Sequence, residues 1–245
     1  MTRRLGTPLY AMAEVGSTMD AARELAERGA PEGACVVADR QTKGRGRSGR
    51  RWESPPGGLC VSLILRPSRP LDEWPSLSLV AGVAVAEAIH ELVTLDVQIR
   101  WPNDLLVNGR KLAGMLVEAS GSSAIIGIGL NVEAAPMGLG DAAVSIRDAA
   151  GSTPTRYQIA AAIFQRLEHR YAAWGRRGFS SIRAAWLARS GMIGETVCVS
   201  LSTEELEGQV IDVDERGRLV IRLDTGLQRS CDVGEVRVLR PMKSA

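Results

Sequence analysis

Residues 97–132 read VQIRWPNDLLVNGRKLAGMLVEASGSSAIIGIGLNV, and at their centre Asn108-Gly109 separates two apolar runs. A type I′ turn needs positive φ at both central positions, which Asn followed by Gly tolerates best. The dipeptide therefore predicts a hairpin pairing roughly 104–107 with 110–118. A short SGSS connection leads to AIIGIGLNV (124–132), a further strand in which Gly127 and Gly129 leave room for a close neighbour. Three strands in succession, with no helix between them, predict an α+β domain: a mixed or antiparallel sheet with helices packed on one face. They argue against the strand–helix alternation of a doubly wound nucleotide-binding fold.

Outward from this block, ACVVA (34–38) and LCVSLILRP (59–67, stopped by Pro67) read as buried strands. Ser17-Thr18-Met19-Asp20 opens a helix through AARELAERGA; Ser17 and Asp20 have capping-box spacing, and Gly29 ends it. PSLSLVAGVAVAEAIHEL (75–92) is an apolar helix with Pro75 in its first turn and enough Ala and Gly to lie close on a sheet. His90 near its end reads as a packing or surface residue. The Ala/Gly/Pro-rich stretch 133–154 reads as loop, followed by helices over 155–174 and 179–190. Tyr157, Phe164, Tyr171 and Trp174 are packing aromatics. From Gly194 the pattern changes to GETVCVS, LEGQVIDVD, GRLVIRLD, LQRSCDV and EVRVLR, separated by STEE, ERG and TG turns. Short alternating strands of this kind predict a small SH3-like β-barrel, too small for a deep pocket of its own. The chain thus divides into residues 1–190 and 191–245.

With 245 residues, 45% hydrophobic and 24% charged, the chain has enough apolar material for a real core. Its net charge of +2 counts against a generally cationic nucleic-acid binder. Cys35, Cys60, Cys198 and Cys231 show no metal-finger spacing, and the first two sit in strand-like runs where a reduced, buried thiol is the default. Two histidines leave little for a zinc site or a Ser-His-Asp triad. The start, MTRRLGTPLY, lacks a signal-peptide core, and no run approaches the ~18 apolar residues of a membrane span. These features predict a cytoplasmic protein without a membrane partner.

Against this neutral background, residues 41–58 (QTKGRGRSGRRWESPPGG) concentrate charge. Gly44, Gly46 and Gly49 alternate with Arg45, Arg47, Arg50 and Arg51. Glycine lets backbone N–H groups approach a ligand, and guanidinium forks grip carboxylate or phosphate oxygens with two bonds each. The arginines repel one another, so the loop is expected to be loosely ordered until an anion arrives. On these residues alone, an anion-gripping loop, a solvated basic loop and a nucleic-acid contact all stay open.

The arginine loop followed by Trp52, then RWPNDLL, GRKLAGMLVE and GIGLNV, in this order, resembles the biotin–protein ligases (biotin–[acetyl-CoA-carboxylase] ligases). The likeness spans most of residues 15–132 and extends to the terminal barrel, and it implies a catalytic domain like that of class II aminoacyl-tRNA synthetases over 1–190. The activity implied is adenylation of biotin with ATP and Mg2+, then transfer of the biotinoyl group to one lysine of a biotin carboxyl carrier domain. No tightly bound cofactor is implied. The resemblance is to the short, monofunctional class without an N-terminal helix-turn-helix domain, so no operator DNA is expected as a partner. Transient or homodimeric association stays open. A lipoate- or octanoate-type ligase of related fold and a nucleic-acid-binding module are the alternatives, and the former predicts a substrate loop that is absent here.

The resemblance also implies site residues. Ser17, Thr18 and Gln41 would meet the ureido head of biotin, with Met19 standing where the family has Asn. Gly44, Arg45 and Gly46 of the loop and Gly114 would complete the biotin slot, walled by 112–117 and 126–130. Arg47 and Lys111 would flank the meeting point of the biotin carboxylate and the α-phosphate, and so contact both substrates. Arg45 and Arg50 would serve the phosphates. Trp52 offers a face for adenine, with buried packing as its plainer reading, and Asn103 and Asn131 could bond the adenine edge or ribose. Asp104 has two open roles, as a holder of Mg2+ or as the partner of the acceptor lysine. Lys111 could instead be only a hairpin lysine, and Arg100 stands where the family commonly has Lys.

Overall fold

The computed structural model describes residues 5–201, 204–232 and 234–239. The expectations for the first four residues, for part of the STEE turn and for the ends of the last two strands at 233 and 240 lie outside them.

The turn at 108–109 forms as its chemistry demands, with φ of 50 at Asn108 and 74 at Gly109. It joins β5 (Asp104–Val107) to β6 (Arg110–Ser120), and the register slips between Leu105 and Leu106. Strand β7 (Ser123–Leu130) then pairs with β6 from Ser120↔Ser123 to Ala113↔Leu130. These join β1 (Leu9–Val15), β2 (Cys35–Gln41), β3 (Leu59–Leu65) and β4 (Gln98–Arg100) in one seven-stranded sheet of order β1-β2-β3-β7-β6-β5-β4. All pairs are antiparallel except β1 with β2, which run parallel.

That parallel pair corrects the expectation of helices on one face only. Neighbouring parallel strands need a crossover, and α1 (Thr18–Glu27) supplies it. Its Met19, Ala22 and Ala26 pack on Val36, Ile64 and Ile125, the residues those strands turn to this side. On the other face, Leu59, Val61, Leu63, Leu65, Ile126 and Ile128 meet α2 (Leu77–Val93), α4 (Arg156–Arg177) and α5 (Ser180–Leu187). Strand residues therefore split by parity between two cores.

Local chemistry accounts for the other differences. Pro75 lies in a 3-10 turn (Leu71–Ser76) just before α2, not in the first α-helical turn. The segment Leu71–Val93 has the length and mean hydropathy (1.5) of a membrane span, but 67% of its most apolar window is buried inside this protein, as in a core helix. Thr155 and Gln158 make a reciprocal capping box at α4, whereas Ser17, despite its spacing to Asp20, makes no side-chain cap at α1. Within 133–154, expected as loop, are a 3-10 turn (Met137–Ala142) and the short helix α3 (Ile146–Ala150), capped by Ser145.

The C-terminal strands β8 (Thr196–Ser200), β9 (Glu205–Val213), β10 (Leu219–Arg222), β11 (Gln228–Cys231) and β12 (Glu235–Val238) form an antiparallel sheet of order β11-β10-β9-β8-β12, consistent with an SH3-like fold. Its Val197, Val210, Val213 and Ile221 are fully buried in the large core. The Trp101 indole N–H donates to Gly217 O (3.0 Å) and Arg183 Nε to Val213 O (2.7 Å), so polar bonds also fix it to the rest of the chain.

Candidate active site

A cavity of about 660 Å3 opens between the sheet at β6 and β7, the start of α1, the arginine loop and the β12 side of the C-terminal sheet. Thr18, Met19, Gln41, Arg45, Gly46, Arg47, Arg50, Trp52, Asn103, Asp104, Lys111, Gly114 and Asn131 all line it, as does Arg100. Ser17 and Gly44 are buried and do not. The expectation that the C-terminal unit has too little depth for a pocket alone is compatible with what it does here: Ser200, Glu205 and 234–237 form one wall of a shared cavity.

At the sheet end the surroundings are buried and neutral. Thr18 N–H and Oγ1–H donate to Gln41 Oε1 (2.8 and 3.0 Å), and Ser62 Oγ donates to Thr18 Oγ1 (2.8 Å). Gln41 Nε2 donates to Ser54 Oγ (3.4 Å), which lies 3.3 Å from Cys60 Sγ. Ser17 Oγ is buried with no partner among the described residues, a condition that ordinarily costs stability unless a ligand or water completes it. The floor is made by glycines. A Cβ on Gly127 would lie 2.6 Å from Met19 Sδ, one on Gly129 2.3 Å from the Trp52 ring, and one on Gly114 3.2 Å from that ring. Met19 and Trp52 therefore rest where only strand residues without side chains allow them. Burial raises the Cys60 thiol above its ordinary range despite bonds from Ser54 and Gln41, so it stays a neutral thiol behind the residues that line the cavity.

At the loop end the surroundings are ionic and half exposed. Residues 47–49 make one 3-10 turn, with positive φ at Ser48 (53) and Gly49 (72), and Gly46 N–H donates to Arg50 O (2.7 Å) to close the loop neck. The arginines diverge. Arg45 is held by Glu118 and Asp20 (2.8 Å each), so it anchors the loop to β6 and α1. Arg47 turns inward, with Nη1 donating to Asn103 Oδ1 (3.4 Å) and Nη2 to Gly234 O (3.3 Å). Arg50 pairs with Glu235 of β12. Desolvation pulls the Arg47 guanidinium below the usual arginine range, and the Asp104 charge pulls it back up. Arg50 holds the Glu235 carboxyl below the usual carboxylate range, chiefly by hydrogen bonding. Lys111 Nζ lies 2.7 Å from Asp104 Oδ1 and 5.7 Å from the Trp52 ring centre.

Asn131 and Asn103 hold the frame between these ends. Asn131 is buried, and its Nδ2 donates to Val144 O (3.1 Å) and Lys111 O (3.3 Å), while Oδ1 has no partner among the described residues. Asn103 Nδ2 donates to Met115 O (2.9 Å). Among the described residues no group of three or more acidic, His or Cys side chains gathers for a metal. A lone Asp104 suits Mg2+ that is carried mainly by phosphate oxygens. Ser62, Ser54, Glu118 and Glu235 were missed in the sequence: each acts through a partner up to 185 residues away (Arg50 with Glu235), and no local pattern marks such pairings.

Known proteins match this arrangement along nearly the whole chain. The model of the biotin/lipoate A/B protein ligase family matches residues 12–133, and that of the biotin protein ligase C-terminal domain matches 192–239. The bifunctional ligase/repressor BirA of Bacillus subtilis is 37% identical over 238 residues, covering 93% of this chain and 73% of that protein. The biotin–[acetyl-CoA-carboxylase] ligase of Mycobacterium tuberculosis is 36% identical over 89% of this chain and 84% of its own length. The structure of the biotin protein ligase from Aquifex aeolicus in complex with biotin and ATP superposes with a TM-score of 0.85 at 30% identity, over 96% of this chain and all of that one. Neither the lipoate nor the nucleic-acid alternative is favoured by these likenesses. The chain belongs to the biotin protein ligase family and is an ATP-dependent ligase whose substrates are biotin and ATP.

Proposed function

We propose that the two ends of the cavity divide one reaction sequence between them, and that its final acceptor is a lysine of a carrier domain in a biotin-dependent carboxylase. The sheet end, with Thr18, Gln41 and the glycine floor, receives the neutral ureido ring, and the apolar strands β6 and β7 carry the valeryl chain toward the loop. At the loop end the biotin carboxylate attacks the α-phosphorus of ATP; a C–O–P anhydride forms as the bond to pyrophosphate breaks. Two anions must be brought together, and Arg47 from the loop and Lys111 from β6 offset their repulsion and the charge on the departing pyrophosphate. Mg2+ bound with ATP would supply the remaining positive charge, and Asp104 would hold it directly or through a water. In the second half-reaction Asp104 takes a proton from the ammonium of the carrier lysine, the neutral amine attacks the acyl carbon, an amide forms and AMP leaves.

The single observation that carries this reading is the inward Arg47 and the Lys111–Asp104 pair lining one cavity whose sheet end is neutral. Closure of the 43–51 loop over the anhydride keeps water out and holds it for the carrier. Trp52, Asn103 and Asn131 are assigned to the nucleoside. The cytosol is the proposed compartment, in keeping with four free, buried thiols. The test is transfer of labelled biotin to a purified carrier domain in the presence of MgATP. One label per carrier, lost when the acceptor lysine becomes arginine, is expected; label that stays free, or that enters the Lys→Arg carrier equally well, contradicts the assignment.

A further inference from the structure

Behind the residues that line the sheet end lies a chain of hydrogen bonds whose direction can be read without ambiguity. A backbone N–H can only donate. The atom of Gln41 that lies 2.8 Å from Thr18 N is therefore the amide oxygen, which fixes the amide's orientation. The Thr18 hydroxyl gives its one hydrogen to that same oxygen (3.0 Å), filling both of its lone pairs. The Thr18 oxygen in turn takes the hydrogen of Ser62 Oγ (2.8 Å). Ser62 is fully buried on β3, the strand between β2 and β7, with Val36 and Gly127 as its register partners. On the amide's other side, Nε2 is steered by Ser54 Oγ, backed by Cys60. Gln41 thus has only N–H left to offer the cavity.

We propose that Ser62 is a positioning residue for biotin: by occupying the Thr18 oxygen it sends the Thr18 hydrogen to Gln41 and locks the amide with its N–H groups toward the ligand. The inference rests on the reading that this end receives the ureido head. A ring whose facing atom accepts a hydrogen bond, such as the ureido carbonyl, is then favoured. A ring presenting a protonated guanidino group meets donor against donor and is rejected. Without Ser62 the Thr18 hydroxyl is free to rotate, one lone pair of Gln41 loses its partner, and the amide loosens.

The test is ligand-dependent pyrophosphate release by the full chain and MgATP, with biotin and with its guanidino analogue 2-iminobiotin, in the parent, Ser62→Ala and Ser62→Thr. Ser62→Ala is expected to raise KM for biotin about 3- to 10-fold, the scale of one lost neutral hydrogen bond. Its kcat and KM for ATP should stay at the parent's values, and the preference for biotin over the analogue should narrow. Ser62→Thr, which keeps the hydroxyl, should restore both. A Ser62→Ala protein with the parent's KM and preference overturns the orienting role, as does one whose kcat, ATP KM and Tm fall together, which marks plain packing. A parent that releases no pyrophosphate with biotin overturns the assignment of the ureido site and this inference with it.

Discussion

The two ends of the cavity are built on opposite principles. The sheet end is mounted on central strands, is buried, and is joined by hydrogen bonds between neutral groups: Ser62 to Thr18 to Gln41, over glycines at 127 and 129. The loop end hangs on one 3-10 turn and is joined by ion pairs at half-exposed or exposed side chains: Arg45 with Glu118 and Asp20, and Arg50 with Glu235. Neutral bonds away from water keep their strength in salt and select by geometry, whereas exposed ion pairs are weak and screened, so they can break and re-form in each turnover. A rigid end that recognises, facing a releasable end that carries charge, is what a ligase with a reactive intermediate needs.

The sharpest way to break this comparison is Lys111→Ala. Loss of a cation aimed at developing charge is expected to lower the rate of adenylation about 100- to 1,000-fold. KM for biotin should change far less than the rate, because Lys111 meets only the carboxylate end of biotin; a large rise in biotin KM with intact kcat would dissolve the division. Arg47→Gly is expected next. It should release biotinoyl adenylate about 10- to 100-fold faster, the scale of one charge-assisted hydrogen bond, and label lysines of a bystander protein. A variant that retains the adenylate as the parent does would remove Arg47 from the closing role.

Gly129→Ala probes the rigid end. The new Cβ would lie 2.3 Å from the Trp52 ring, so that ring must move. Overpacking here should cost about 1–3 kcal/mol, read as a lower Tm, and raise KM for both substrates. An unchanged Tm and KM would show that Trp52 is not held by the glycine floor. The smallest effect belongs to Glu235→Gln, since its ion pair with Arg50 is exposed. The carboxyl lies below its usual range in the folded protein, so the pairing is complete above that range and is lost only as pH falls through the depressed value. Parent and variant should therefore differ by a small, constant factor from roughly pH 6 to 8, and the difference should shrink in high salt. A difference that grows toward pH 8 would exclude this pairing as its source.

How much of this was legible in the sequence follows the same division. The hairpin at Asn108-Gly109 and the close approach at Gly127 and Gly129 could be read because turn chemistry and missing side chains are local. The cations of the loop could be read because charge is conspicuous against a near-neutral chain. Strand β1 could not: LYAMAEV is an edge strand with a mixed exposure pattern, its parallel partner lies 26 residues on, and only that pairing places α1 on the second face of the sheet. Ser62 was hidden for a related reason, since one serine in an apolar strand looks like dilution until the fold brings it to Thr18, 44 residues away. Ser17 shows the converse. Its capping spacing is real, yet its hydroxyl makes no cap and has no partner among the described residues.

The most direct measurement is ATP–pyrophosphate exchange by the purified chain with biotin, with lipoate and with neither. Exchange that requires biotin, is not supported by lipoate and fails at the chemical step in Lys111→Ala is the predicted result. Exchange without biotin, or with lipoate as readily as with biotin, would contradict a cavity in which a rigid neutral end chooses the vitamin and a cationic end activates it.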